Sequence, residues 1–187
     1  MLVLRKGSGR DLNFNYGLFL DCHPKAEVLP EIVLQKAIFN QKADLLMLVD
    51  NEVKVSVAEA FVLPRSVYGY GMMLYFGTMP WYKDRGFEEE LVRSVVHQYG
   101  YLNGLFIQVP TEITNEQIQL REQTAKRFGF DPMNVEGYSF RGMAMKLMMR
   151  NLARKEDVSP YMDLIIPDIF EAFMTSATVA KMIRFAK

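Results

Sequence analysis

Residues 79–92 read MPWYKDRGFEEELV, and two opposed signals meet in them. Lys83, Arg85 and Gly86 stand just before a helix start, which suits a bound phosphate. The first N–H groups of a helix are unsatisfied and carry partial positive charge. Glu88, Glu89 and Glu90 occupy the same end and suit an ordinary acid-capped helix. From Gly86 onward the period is helical. Phe87, Leu91, Val92, Val95 and Val96 share one face, and Glu88, Glu89, Arg93 and His97 occupy others.

Upstream, YGYGMMLYFGTMP (68–80) reads as one long strand leading into that loop. Before it, ADLLMLVDNEVKVSVAEAFVL (43–63) reads as two strands joined at Asp50-Asn51-Glu52 and ended by Pro64-Arg65-Ser66. Val53, Val55 and Val57 alternate with Lys54 and Ser56, the pattern of a half-buried antiparallel strand. The chain opens with a strand over Leu2–Arg5. A helix capped by Asp11 follows, with Leu12, Tyr16, Phe19 and Leu20 as its buried stripe. A second helix spans Pro30–Phe39.

Downstream, Gly100 or Asn103-Gly104 stops the helix and LFIQV (105–109) is a short buried strand. A further helix begins at Thr114, with Gln117 in the capping-box position and Gly129 at its end. GYSFRGMAMKLMMR (137–150) supplies one or two last strands. The order predicts an α+β domain over residues 1–150 with one strand-helix-strand crossover.

Composition narrows the function. The chain has 187 residues, half of them hydrophobic, and 22 basic residues balance 22 acidic ones. Zero net charge gives no bulk attraction to nucleic acid or to an anionic membrane. One cysteine, Cys22, and two histidines, His23 and His97, provide no metal-ligand spacing. No stretch approaches the roughly 20 apolar residues of a membrane span. A soluble cytoplasmic protein is the expectation.

Element order and three local patterns resemble the GNAT family of acyl-CoA-dependent N-acyltransferases, over roughly residues 1–150. RKGSGRDLNFNYGLFLDCH (5–23) is similar to the opening strand and helix, especially in small GNAT-like proteins of tailed phages. MPWYKDRGFEEELV is similar to the strand-loop-helix that receives the cofactor's pyrophosphate. AKRFGF (125–130) is similar to the end of the later helix and the glycine-phenylalanine pair. The resemblance implies a mixed, mostly antiparallel twisted sheet flanked by helices. It implies acetyl-CoA or coenzyme A as the cofactor, with no metal. Lys83, Arg85, Gly86 and Phe87 would meet the pyrophosphate. The strand edge at Phe76 and Thr78 would pair with the pantetheine arm.

The sequence departs from the family pattern at two chemical positions. Glu88 stands where a second small residue lets phosphate reach the backbone. Ala125 stands where many members carry a tyrosine that protonates the departing thiolate, and the asparagine often found seven residues earlier falls at Ile118. The resemblance leaves Glu59 as a candidate general base and Tyr138 or Tyr82 as a substitute acid. Tyr75 lies on the strand after Glu59. His97 is expected to face solvent, and His23, before Pro24, to end a helix.

Residues 151–187 extend beyond the expected domain. NLARKEDVSP reads as a connector, with Ser159 and Pro160 starting a helix. YMDLIIPDIFEAFM is apolar and broken by Pro167, and Ser176 caps a last helix striped by Val179, Met182, Ile183 and Ala186. So apolar a tail must pack on the domain, on a partner or on a second copy. Together these readings predict a non-catalytic interaction protein of a phage virion or host cytoplasm, with protein binding or self-association through the tail. An active N-acetyltransferase acting on an unidentified amine is the alternative.

Overall fold

The computed structural model describes residues 1–52, 55–111, 122–153 and 156–186. The chain forms two compact units, Met1–Leu63 with Met73–Tyr99 and Pro64–Met72 with Gly100–Lys187. The expected boundary at residue 150 is not where these units divide, because residues 100–187 lie together.

The first unit is built on strands β1 (Leu2–Gly7), β2 (Asp44–Asp50), β3 (Val55–Leu63) and the later part of β4 (Tyr70–Thr78), in that spatial order. β1–β2 and β2–β3 are antiparallel, and a register shift at Leu48/Val49 marks a bulge. From Val57 to Leu63 every residue of β3 is buried. The half-buried alternation expected there does not extend past its start, and Val53 and Lys54, on which it also rested, lie outside the described residues. Both faces are covered. Helix α1 (Gly9–Cys22) brings Phe19 to 5.5 Å of the Tyr75 ring, and Phe61 meets the same ring at 6.3 Å. The opposite face is left to α3 (Phe87–Gln98), whose Leu91, Val92 and Val95 are buried and which contacts β2 and β3.

Asp11 does not cap α1 directly. Ser8 is the N-cap and Asp11 is its capping-box partner, accepting from the Ser8 backbone N–H at 2.7 Å. Leu12, Leu18 and Phe19 are the buried residues of α1, while Tyr16 is half-buried and donates its hydroxyl to the Leu29 carbonyl. Gly77 lets α1 approach β4, because a Cβ there would lie 2.5 Å from Cys22 Sγ. Helix α2 (Glu31–Phe39) packs on α1 and buries Leu34 and Ala37.

The second unit contains the first residues of β4, paired in parallel with β5 (Gly104–Pro110) at Tyr70–Gly104, Gly71–Leu105 and Met72–Phe106. The parallel neighbours expected from the crossover are therefore present. β5 runs antiparallel to β8 (Met143–Asn151), which also pairs β6 (Asp131–Pro132) and β7 (Ser139–Phe140). Residues 122–127 are helical (α4), and the start expected at Thr114 and Gln117 lies outside the described residues.

The tail belongs to the core of this unit. α5 (Met162–Glu171) buries Met162, Ile165, Ile166, Ile169 and Phe170, and runs through Pro167 without ending. Phe170 stacks on Phe140 at 5.2 Å, and β9 (Ile183–Arg184) adds a strand to β7. Burial of such side chains stabilises by about 1.5–3 kcal/mol each, which explains why the chain folds back here. Ser159 opens only a single 3-10 turn before α5. The cap of α6 (Ser176–Met182) is Thr175, not Ser176.

Candidate functional site

The loop between β4 and α3 keeps the backbone that an anion would need. Gly86 is the N-cap of α3 at φ 78°, offers no side-chain cap, and nothing lies within 4 Å of where its Cβ would stand. An L side chain would be strained at this angle, so the conformation favours glycine. The side chains act differently. Arg85 lies over the Tyr82 ring at 5.5 Å, and Tyr82 meets Phe87 at 5.8 Å, so the guanidinium is engaged with an aromatic pair. Glu89 and Glu90 are both bound by Arg93, at 3.1 and 3.0 Å. Lys83 is exposed and Glu88 half-buried.

The preceding strand holds the more informative geometry. The Met79 N–H donates to the Val57 carbonyl at 2.9 Å. Backbone polar groups alternate along an extended strand, so Phe76 and Thr78 direct theirs away from β3. That outward edge at Phe76 is already taken. His23 Nε2 lies 3.1 Å from the Phe76 carbonyl oxygen and 3.3 Å from its nitrogen, so one tautomer donates and the other accepts. The other ring nitrogen, Nδ1, is 3.6 Å from Glu27 Oε2, and Glu27 is fully buried. His23 is the C-cap of α1, as expected, and its side chain also reaches β4. Thr78 Oγ1 is buried without a hydrogen bond among the described residues.

Glu27 was missed in the sequence reading. The two residues lie outside any helix: His23 is extended and Glu27 sits in the turn closed on the Pro24 carbonyl, so no helical spacing in the sequence pointed to the pair. Tyr75 is a tie rather than a reactive group. Its hydroxyl accepts from the Leu29 N–H at 2.9 Å and donates to the Glu27 carbonyl at 3.0 Å, anchoring the segment between α1 and α2.

Glu59 lies in register with Met47 of β2, and Met47 with Arg5 of β1. It is fully buried and neither oxygen has a hydrogen bond among the described residues. Burial pushes its carboxyl up to about 7, while the Ser56 hydroxyl opposes this, the Asp11 carboxylate adds to it and the Arg5 guanidinium opposes it. The Ser56 hydroxyl already donates to the Ala58 carbonyl at 3.4 Å, which limits what it can give Glu59.

Tyr138, the candidate acid, belongs to the second unit. It is 2% exposed, and its hydroxyl donates to Gln108 Oε1 at 2.9 Å. Ala125 is buried in α4, and Ile118 lies outside the described residues. His97 is exposed, as expected. The structure thus joins His23, Phe76 and Tyr75 in one constellation, while Tyr138 is held in a separate hydrogen bond.

Three parallel pairs between β4 and β5, a glycine-capped helix after β4 and a β5–β8 antiparallel pair make up a known arrangement. This chain has the GNAT fold. It superposes on a Bacteroides thetaiotaomicron protein assigned to the GNAT acetyltransferase family with a TM-score of 0.66 and 14% identity, covering 87% of this chain and 93% of that one. The ribosomal-protein-S18-alanine N-acetyltransferase of Escherichia coli matches at a TM-score of 0.58 and 15% identity, over 84% and 98% of the two chains. A GNAT acetyltransferase from Elizabethkingia anophelis with acetyl-CoA bound matches at 0.58 and 13% identity, over 81% and 98%. No protein-family model and no curated protein matches the sequence. Identities this low carry the GNAT fold and nothing finer. Among the described residues no group of metal-ligating side chains occurs, and no helix is long and apolar enough to cross a membrane.

Proposed function

We propose that this GNAT-fold chain acts by binding a protein partner and not by transferring an acyl group. The observation that carries the reading is the His23 ring on the outward backbone groups of Phe76. A pantetheine arm pairing with that strand needs the same two groups. The acyl-CoA fit is thus divided: the open Gly86 cap suits a phosphate, and the strand at Phe76 does not suit the arm. Engagement of Arg85 by Tyr82 and the acidic first turn of α3 support the same reading.

Exposed large side chains give a binding protein something to present. Phe14 on α1, Phe39 at the end of α2 and Trp81 in the loop are 85%, 86% and 78% exposed. A setting in a phage virion or another phage-encoded assembly is the finer form of this reading, supported by the resemblance of residues 5–23. Calorimetric titration with acetyl-CoA tests it. The intact chain should give no saturable heat up to about 1 mM ligand, and a Kd in the micromolar range would overturn the proposal.

One observation favours the acyltransferase alternative. Glu27, His23 and β4 stand in the order carboxylate, imidazole, strand edge, which is how a carboxylate orients a histidine that accepts a proton. The buried Thr78 hydroxyl without a partner is compatible with a ligand there. Micromolar acetyl-CoA affinity would transfer the argument to that alternative.

A further inference from the structure

The second unit holds an open depression of about 560 Å³. Its walls are aromatic and acidic. Tyr68, Tyr70 and Tyr161 supply rings, Glu156 and Asp157 supply carboxylates, and Asn103 adds an amide. Val158 and Ile165, both buried, and the exposed Leu164 add apolar lining. Every charged side chain on this described lining is negative.

The walls are tied in place. The loop carrying Tyr68 is clamped to α5 by the Val67 N–H donating to Asp168 Oδ2 at 2.8 Å. Asn103 Nδ2 donates to the Tyr68 carbonyl at 3.1 Å, and the Asn103 N–H donates to the Gly69 carbonyl at 2.8 Å. Asp157 accepts from the Ser159 N–H at 3.0 Å, which fixes the acidic segment at the start of the turn before α5. Tyr70 is only 6% exposed, lines the depression, and has no hydrogen bond to its hydroxyl among the described residues. Burial and then the Glu156 carboxylate raise its pKa, so that hydroxyl stays neutral.

The described lining brings tyrosine rings, whose faces are electron-rich, together with two carboxylates, and holds no cationic side chain among the described residues. The geometry points to a site for a small organic ammonium ion, held over the tyrosine rings and against Glu156. An anion meets repulsion here, and a neutral molecule of the same shape gains only apolar contact. This assignment is independent of whether the chain transfers acyl groups, because none of its residues belongs to the β4–α3 loop.

Titration of the full chain with tetramethylammonium and n-butylammonium chlorides at constant ionic strength tests it, followed by NMR of the tyrosine ring signals. Saturable shifts are expected with both cations, and none with n-pentanol or butyrate. Glu156→Gln and Tyr161→Ala should each weaken binding by about 3- to 30-fold, whereas Tyr161→Phe, which keeps the ring, should retain it. Glu156 and Tyr161 are exposed, so thermal melting should show these variants folded. Equal binding of n-pentanol, no saturation with either cation, or affinity unchanged in both weakening variants would overturn the assignment.

Discussion

Replacing Glu59 by Gln should stabilise the protein above neutrality and leave it almost unchanged in mild acid. Glu59 is fully buried, and its carboxyl is raised from 4.5 to about 7, chiefly by burial. The folded state therefore holds a proton that the unfolded state releases. Stability is fully present below about 4.5 and falls as the pH rises toward about 7, since the folded chain binds more protons through that window. The difference between the two values corresponds to about 3 kcal/mol at its upper limit. Gln reproduces the neutral carboxyl in size and cannot ionise, so Glu59→Gln should remove most of that slope. Urea unfolding at pH 5, 6, 7 and 8 reads the effect directly. The unmodified chain should lose about 2.5 kcal/mol between the ends of the series, because part of the effect is already lost at pH 5, and the variant much less. Parallel curves for the two proteins would refute the reasoning, since Glu59 would then reach water or a partner in the folded chain.

Tyr75→Phe should cost about 2–3 kcal/mol in chemical denaturation, because it leaves the buried Leu29 N–H and the Glu27 carbonyl without their partner. A cost under about 0.5 kcal/mol would show that water replaces the hydroxyl. Phe170→Ala should destabilise by about 3–5 kcal/mol through loss of the contacts with Phe140 and Phe173, measured by thermal melting. A neutral result would place the tail outside the core.

Most of the strands and helices were legible in local pattern. Apolar runs in 43–63 and 68–80, rich in β-branched and aromatic residues and bounded by turn residues, read as strands, and the helical period after Gly86 set one apolar face of α3 against the sheet. Glycine at 86 was legible too, since a left-handed helix cap and a phosphate loop both ask for it at that place in the order. Local chemistry was less certain at the caps. Ser8 and Asp11 satisfy each other across three residues, and either alone reads as the cap.

The surroundings of the candidate residues depend on contacts distant in sequence. His23 and Phe76 are 53 residues apart, and no local period relates a helix end to the edge of a strand. Glu59 read as a candidate base, and only the closing of the fold over it showed a carboxyl withdrawn from water on every side. Tyr138 read as a possible acid, and only the fold placed its hydroxyl against Gln108. The tail read equally well as a docking segment or as core, since hydrophobicity states that a face must be covered but not by what. The register of β9 on β7 and the stacking of Phe170 on Phe140 supply that answer, because they arise only once strands distant in sequence have been brought side by side.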